Sequence, residues 1–443
     1  MSQSSDDATS APPETEAPRT GIARVAAALT HRNFRIVWLA ALGSTIGTWM
    51  QNYAQSWLVF DLTHSSFYKS VDDFLAQLPI LLFMLIGGVI ADRHDRRKLL
   101  TGSQYVQAFS AFTLAALIFS GHVKIWHIFA LSFITGCGQS FGGPAYQSMI
   151  PSLVPRRDLP NAIALNSTQF NLSRVLGPSA GSIVLLLGAG WCFALNGLSF
   201  FIVVIALMML RLPPHVPPAP DERIRALPPA ARRRAQLAVL GTELRSGLSY
   251  VRRNPVMLTL TMLVFVTTFL IMPISTLMPA FATNVLTHGP GTPASRLSML
   301  MAAQGLGAIV GALIIGSRGR FRHMGRVLFA VQVVLGLLLA AFSQARTLPL
   351  SLMLVFMCGM FFMALFSTSF SLVQLTVPEA LRGRVISIYM VALRGGWPLG
   401  GLVAGAMADR YSVPGVLMVN GSIVAIVSLV LLIAGQPRSL REI

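Results

Sequence analysis

The sequence predicts an all-α integral membrane protein whose twelve transmembrane helices form two pseudo-symmetric six-helix bundles. Three observations carry that expectation. Of the 443 residues, 54% are hydrophobic and only 11% charged; a soluble core cannot absorb that much apolar surface, whereas lipid can. Apolar stretches of about 20 residues, the length a bilayer core requires, recur twelve times along the chain. Two segments also echo each other half a chain apart. Val154-Pro155 opens a basic loop leading to Arg174, Gly177, Pro178 and Gly181, and Val377-Pro378 opens another leading to Arg394, Gly395, Pro398 and Gly401. The Val-Pro pairs are offset by 223 positions and the Arg-x-x-x-Pro pairs by 220. Such an offset points to parallel repeats of spanning helices, an arrangement used by carriers that rock around a central site.

In chain order the predicted spans are 34–60, 71–91, 99–121, 125–150, 161–188 and 190–210 in the first bundle (34–211), then 255–283, 297–316, 327–343, 349–376, 385–408 and 415–435 in the second (255–436). Around them lie a polar head (1–33), a polar middle (212–254) and a short tail (437–443). With head and middle set aside, about 31 residues remain per span, which leaves no room for a folded soluble domain. The head, SQSSDDATSAPPETEAPRTG, is acidic and rich in proline and serine, and it lacks the basic start and apolar run of a secretory signal; it reads as a disordered tail. From Arg24 to Arg35 a basic, partly apolar approach suits the inner headgroups. The middle, RLPPHVPPAPDERIRALPPAARRRAQ, reads as a linker that turns helix-compatible from Leu237 to Tyr250. Cys137, Cys192 and Cys358 all fall in predicted spans, so neither a disulfide framework nor a metal cluster is indicated, and no cofactor is expected.

A net charge of +18 would suggest nucleic acid in a soluble protein, but its placement argues otherwise. With a cytoplasmic amino terminus, 27 of the 34 Lys and Arg fall in cytoplasmic segments. Lys69, Lys124, Arg296, Arg346 and Arg410 fall in or beside outer loops, and two arginines fall within spans. That is the positive-inside pattern, with both termini cytoplasmic. The basic character therefore reports topology and attraction to anionic lipid, and no nucleic-acid-binding pattern accompanies it.

The most specific local motif stands between spans two and three: Gly88-Val-Ile-Ala-Asp92-Arg93-His-Asp95-Arg96-Arg97-Lys98. A tight turn that sets an acid among arginines can place its carboxylate against a neighbouring helix N-terminus while the arginines bridge loops, contacts that can break and reform as a gate. Charge alone reads as a solvated loop. The motif resembles the G-x-x-x-D-R-x-G-R-R signature of the major facilitator superfamily at Gly88, Asp92, Arg93, Arg96 and Arg97, with Asp95 in place of the usual second glycine. Arg382 and Arg384, in the basic loop between spans ten and eleven that repeats the one between spans four and five, join these residues as candidates for the cytoplasmic gate. HRNFRIVWLA, GTWMQNYAQSWLVFDLT, VPRRDLPNAIALNSTQFNLSRVLGPSAGS, WCFALNGLSF and LRGRVISIYMVALRGGWPLGGLVAG are similar to the branch of transmembrane secretion effectors and siderophore exporters. The resemblance covers nearly all of the chain outside head and linker. It implies alternating access in a bacterial cytoplasmic membrane, a monomer, and export of siderophores or drugs driven by a proton gradient. Gly177-Pro178-x-x-Gly181 is similar to the G-P-x-x-G-G element of the superfamily's antiporters, with Ser182 in place of the last glycine; Pro398 and Gly401 occupy the repeat position. An uptake permease of the same fold, or a non-transporting receptor or assembly factor, is the alternative.

Ionisable residues inside spans are functional candidates, because a charge near the bilayer centre costs about 2.5–3.5 kcal/mol or more. Arg174 and Arg394 fall near the midplane at corresponding points of the repeats. They read either as cations facing a cavity, for acidic groups of a substrate or a proton-carrying acid, or as packing residues satisfied by carbonyls between helices. Asp72 and Asp73 are the carboxylates placed inside a predicted span, with Lys69 three and four positions before them and Gln77 four beyond Asp73. They are candidates for proton coupling, the other reading being a hydrated mouth in which Lys69 neutralises one of them. Gln51, Asn52, Gln55, Gln139, Gln147, Asn166, Gln169 and Asn171 suit either a substrate path or bonds between helices. An enzyme is not indicated: neither HExxH, nucleophile elbow, phosphate loop nor paired catalytic carboxylates occur in a suitable setting.

Overall fold

A computed structural model describes the backbone of residues 27–93, 95–210, 241–242, 245–288, 290–318 and 323–434, and the side chains over the same range except those of 84–93, 318 and 380. The expected cytoplasmic tail 437–443, residues 1–26 of the head and most of the linker lie outside the described residues.

The first half comprises α1 (Arg32–Thr63), α2 (Ser66–Arg93), α3 (Arg96–Phe119), α4 (Ile125–Leu153), α5 (Leu159–Val184) and α6 (Ala189–Met208). The second comprises α7 (Pro255–Leu270), α8 (Pro273–Asn284), α9 (Pro293–Arg318), α10 (Met324–Gln344), α11 (Leu348–Thr376), α12 (Arg382–Arg410) and α13 (Val413–Ala434). Helices α7 and α8 are one crossing broken at Ile271-Met272. Pro273 supplies no N–H there, and the Leu270 carbonyl accepts a 3.0 Å bond from Asn420 Nδ2 of α13. Irregular backbone at membrane depth survives because a neighbouring helix satisfies it. Among the described residues eight helical segments are long and apolar enough to cross a membrane, and α1–α4, of 24 to 32 residues, pack alongside them. Helix starts are chemically marked. Asn254 Oδ1 accepts from the N–H groups of Val256 and Met257 at 3.0 and 3.2 Å ahead of α7, satisfying donors a helix cannot pair internally.

The packing repeats between halves. Helix α2 packs on α4 as α9 does on α11, α3 on α6 as α10 on α13, and α1 on α5 as α7 on α12. Two seams join the halves, α2 against α12 and α5 against α9, and they too correspond under the repeat. Among the described residues, with α7 and α8 taken as one, twelve helical crossings pair in this repeated way, the all-helical two-bundle fold that the sequence predicts.

The seams are closed at one end only. At the end bearing the α1–α2 turn, one apolar core runs through both halves, from Met50, Tyr53 and Phe193 to Leu277, Phe281 and Leu297. Around Phe34, Leu153 and Leu207, toward the opposite end, a separate core belongs to the first half alone. On α12, Pro398, Gly401 and Gly405 are buried, whereas Arg394, Val391 and Gly383, at helical spacing along the same face, are exposed. On α5, Pro178 and Gly181 are buried, while Ser167, Ile163 and Pro160 below them are uncovered. A cleft therefore opens between the halves toward the end that carries Asp95, Arg156 and Arg382, hereafter the basic end. Its apex lies at the level of Arg174 and Arg394.

Candidate functional site

The densest polar assembly lies on α2, beside the closed end. Helix α2 begins at Ser66, five residues before the predicted span, because a carboxylate from the other half caps it (below); Lys69 is therefore inside the helix with the two acids. Its Nζ lies 2.5 Å from Asp73 Oδ1 and 3.7 Å from Asp72 Oδ2, the i,i+3 and i,i+4 pairing that the spacing predicts. Asp72 is 2% exposed and Lys69 4%, so at Asp72 the hydrated-mouth reading gives way to a packed interior. Desolvated charges need full hydrogen bonding, and Asp72 has it: Gln55 Nε2 of α1 donates to both its oxygens at 2.9 Å, and Ser132 Oγ of α4 donates to Oδ1 at 2.5 Å. Asp73 instead reaches across the seam, where its Oδ2 accepts a 2.9 Å bond from Thr276 Oγ1 of α8. One ammonium thus serves two carboxylates. With both ionised, the cluster carries one net negative charge, and its bonds divide between the two halves.

Gln55 and Ser132 also line a partly enclosed pocket of about 100 Å³ within the first half, together with Gln51, Asn52, Gln77 and Gln139. Four of the sequence candidates, Gln51, Asn52, Gln55 and Gln139, therefore converge in one amide-rich space. Gln51 also joins helices, as do candidates outside the pocket. Asn196 Nδ2 of α6 donates to Gln51 Oε1 at 2.7 Å, Gln169 Nε2 donates to Thr45 Oγ1 at 3.0 Å, and Tyr146 Oη donates to Asn166 Oδ1 at 2.9 Å. Asn171 Nδ2 bonds its own helix at Ser167 O, 2.9 Å away.

At the cleft apex, the Arg174 guanidinium lies 5.7 Å from the centroid of the Trp49 ring, and Trp49 meets Phe170 edge-on at 5.9 Å. Arg394 is exposed, with the rest of its side chain shielded by the surrounding helices. The glycines beside Arg174 let α1 and α5 approach closely: a Cβ at Gly177 would overlap the Trp49 side chain, and one at Gly181 would overlap the Tyr53 ring. The Pro178 carbonyl accepts a 2.8 Å bond from Ser298 Oγ of α9, which ties the second seam. Gly401 has ordinary room against Thr276.

At the basic end, Asp95 occupies the position where the superfamily signature has glycine, and its side chain caps α3 by accepting from Arg97 N–H at 2.9 Å and Lys98 N–H at 3.4 Å. Arg96 Nη1 bridges to Ser148 O of α4 at 2.7 Å. Arg384 Nη1 donates to Ser246 Oγ at 3.2 Å, and Arg382 is exposed. Gly88, Asp92 and Arg93 belong to α2, with side chains outside the described residues.

The sequence reading missed the counterpart of this turn at the other end. Asp409, at the end of α12, accepts from the N–H groups of Ser66 at 2.7 Å and Phe67 at 3.1 Å and from Ser65 Oγ. It thereby caps α2 across the seam. The signal was present: Gly405-x-x-x-Asp409-Arg410 repeats the spacing of Gly88-x-x-x-Asp92-Arg93. A Cβ at Gly405 would overlap Ser70 Oγ, so the two helices meet there at close range. Tyr53 Oη adds a cross-seam bond to Ala294 O at 2.8 Å.

Two bundles meeting on a pair of repeated seams, with a one-sided cleft and a buried charge cluster bonded to both halves, define a secondary transporter of the major facilitator class. The solved structures agree on the fold. A peptide transporter POT mutant in complex with sulfate superposes with a TM-score of 0.72 at 12% identity, over 94% of this chain and 98% of that one. The nucleoside transporter NupG gives 0.65 at 15% identity, over 91% and 98%. The family model described as a transmembrane secretion effector matches residues 23–440, and the chain belongs to that family. Its relatives include the multidrug efflux pump Tap of Mycolicibacterium fortuitum, 28% identical over 384 residues, 84% of this chain and 88% of Tap. The enterobactin exporter EntS of Citrobacter koseri is 27% identical over 428 residues, 93% and 94% of the two chains. Macrolide efflux protein A of Streptococcus pyogenes is 24% identical over 417 residues, 92% and 97%.

Proposed function

We propose that this protein is a proton-coupled exporter of small amphipathic molecules in the bacterial cytoplasmic membrane, acting as a monomer with both termini in the cytoplasm. The observation that carries the reading is the Lys69–Asp72–Asp73 cluster, one charge short of neutrality, with Lys69 and Asp72 buried and its bonds divided between both halves. Export is supported by relatives named as efflux proteins, and the basic end is assigned to the cytoplasm by the positive-inside pattern.

In this arrangement the structure is the inward-open state and receives substrate from the cytoplasm. Rocking the halves opens the α2–α12 seam, breaks the Thr276–Asp73 bond and admits external water to the cluster. One proton taken up there removes the surplus charge and favours return. In the inward-open state that proton leaves past Gln55 and Ser132 into the amide-lined pocket. A proton moving inward across about 100 mV supplies about 2.3 kcal/mol, enough for a gradient of about fiftyfold at about 1.4 kcal/mol per decade.

The test is flux in proteoliposomes under an imposed pH gradient, using siderophore and drug panels, for wild type, Asp72→Asn and Asp73→Asn. Gradient-driven flux in wild type and gradient-insensitive exchange in the asparagine variants are expected. Full coupling in both variants would falsify the assignment of the cluster.

A further inference from the structure

Two features at the cleft apex name the chemistry of the cargo, an inference that rests on the exporter reading. The first is uncompensated positive charge. Among the described residues, neither Arg174 nor Arg394 has a hydrogen-bond or ion-pair partner, and Arg174 has only the Trp49 ring. The carboxylates of α2 are already committed, Asp72 to Gln55, Ser132 and Lys69, and Asp73 to Lys69 and Thr276. The two arginines stand 220 positions apart, at equivalent points of the repeat. Each marks a change along its helix: inward of it the face of α5 or α12 is exposed, and outward of it that face is buried, with the Pro178 carbonyl bonded to Ser298 and Gly405 set against Ser70 of the other half, and Gly181 against Tyr53 of its own. The apex therefore carries one cation from each half, Arg174 on α5 and Arg394 on α12.

The second feature is aromatic. Phe170, one turn inward of Arg174 on the uncovered side of α5, is 52% exposed and meets Trp49 edge-on, so a cation and two ring surfaces lie together. A guanidinium offers forked donors to an anionic group, and rings beside it offer stacking surface.

We infer that the Arg174–Arg394 apex is a site for aromatic acids: amphipathic molecules bearing a carboxylate, sulfonate or ionised phenol on a ring system. The anionic group neutralises the arginine pair, and the ring body lies against Trp49 and Phe170. A cation of the same shape brings like charge to the apex and is rejected.

The experiment uses three probes that share one body, radiolabelled 2-naphthoate, 2-naphthylmethylammonium and 2-naphthylmethanol, with octanoate as an acid lacking a ring. Binding to the purified full-length protein is measured for wild type, Arg174→Gln, Arg394→Gln, Arg174→Lys and Phe170→Ala, each shown to elute as a single species. Naphthoate is expected to bind at least tenfold more tightly than the ammonium or the alcohol. Each glutamine variant should lose about tenfold for naphthoate, and Arg174→Lys should recover most of that loss because it restores charge without restoring the forked donors. Phe170→Ala should weaken naphthoate severalfold and leave octanoate unchanged. Ammonium binding equal to or tighter than naphthoate, or naphthoate affinity unchanged in both glutamine variants, overturns the inference. Flux in vesicles separates it from the exporter reading. Export of the ammonium probe that survives both glutamine variants sinks the anion site and leaves the exporter standing. Arginine-dependent naphthoate binding without flux keeps the site and sinks the exporter.

Discussion

Asp409 offers a direct handle on the conformational equilibrium, because its bonds exist only while the halves are closed at the α1–α2 end. It accepts two backbone N–H bonds, at 2.7 and 3.1 Å, from the first turn of α2 in the opposite half, and a third from Ser65. Losing a side-chain cap costs about 0.5–2 kcal/mol, and a negative charge at a helix N-terminus contributes about 0.3–1 kcal/mol. Asp409 is exposed, so water competes for these bonds, and about 1 kcal/mol is a suitable expectation for Asp409→Ala. That shifts the closed-to-open ratio at this end about fivefold. Asp409→Asn keeps an acceptor oxygen and loses the charge, for a shift of about twofold. Spin labels at His122→Cys and His288→Cys, both exposed in loops of opposite halves at this end, read the separation once Cys137, Cys192 and Cys358 are replaced. The alanine variant should gain a population at longer distance. Asp61→Asn is the control, removing an exposed charge from the end of α1 without touching a seam. An unchanged distance distribution in Asp409→Ala, or an equal shift in Asp61→Asn, would refute the latch.

Thr276→Val keeps the shape but removes the donor to Asp73; a hydrogen bond to a charged group is worth about 1.5–3 kcal/mol, so the same labels should report a larger opening than with Asp409→Ala. Gly405→Val drives a side chain into Ser70 and should abolish transport in a folded protein, with partial recovery when Ser70→Gly is added, as scored by vesicle flux. Asp95→Ala removes the α3 cap and should lower stability by about 0.5–2 kcal/mol in thermal unfolding, whereas Asp95→Gly should cost only a few tenths. If glycine proves as costly as alanine, the capping account of this position fails.

The bundle architecture was legible because lipid imposes long apolar runs and because the repeat left its mark at Val154-Pro155 and Val377-Pro378. Lys69, Asp72 and Asp73 were legible as a cluster because helical spacing alone brings them together. Their partners Thr276 and Ser132 were not, since a hydroxyl in an apolar span looks the same whether it bonds its own backbone, as Thr267 Oγ1 does to Leu263 O, or a carboxylate on another helix. Gln51 and Gln55 show the same limit: four positions apart on α1, one is held by Asn196 and the other holds Asp72. Which helix faces which is decided by tertiary packing. The Asp409 cap was readable only to an eye that compared the far end of α12 with the far end of α2.

The small amide-lined room beside Asp72 has a consequence for selectivity. At about 100 Å³ it has space for about three waters, while drug-sized ligands occupy pockets of about 300–1,000 Å³. On the proposed exporter reading, a drug-sized cargo in the cleft is too bulky for this room, and solvent reaches the charge cluster without it. In such an exporter proton access and cargo binding sit in separate places, so the range of cargo can broaden through changes at the cleft while the coupling stays the same.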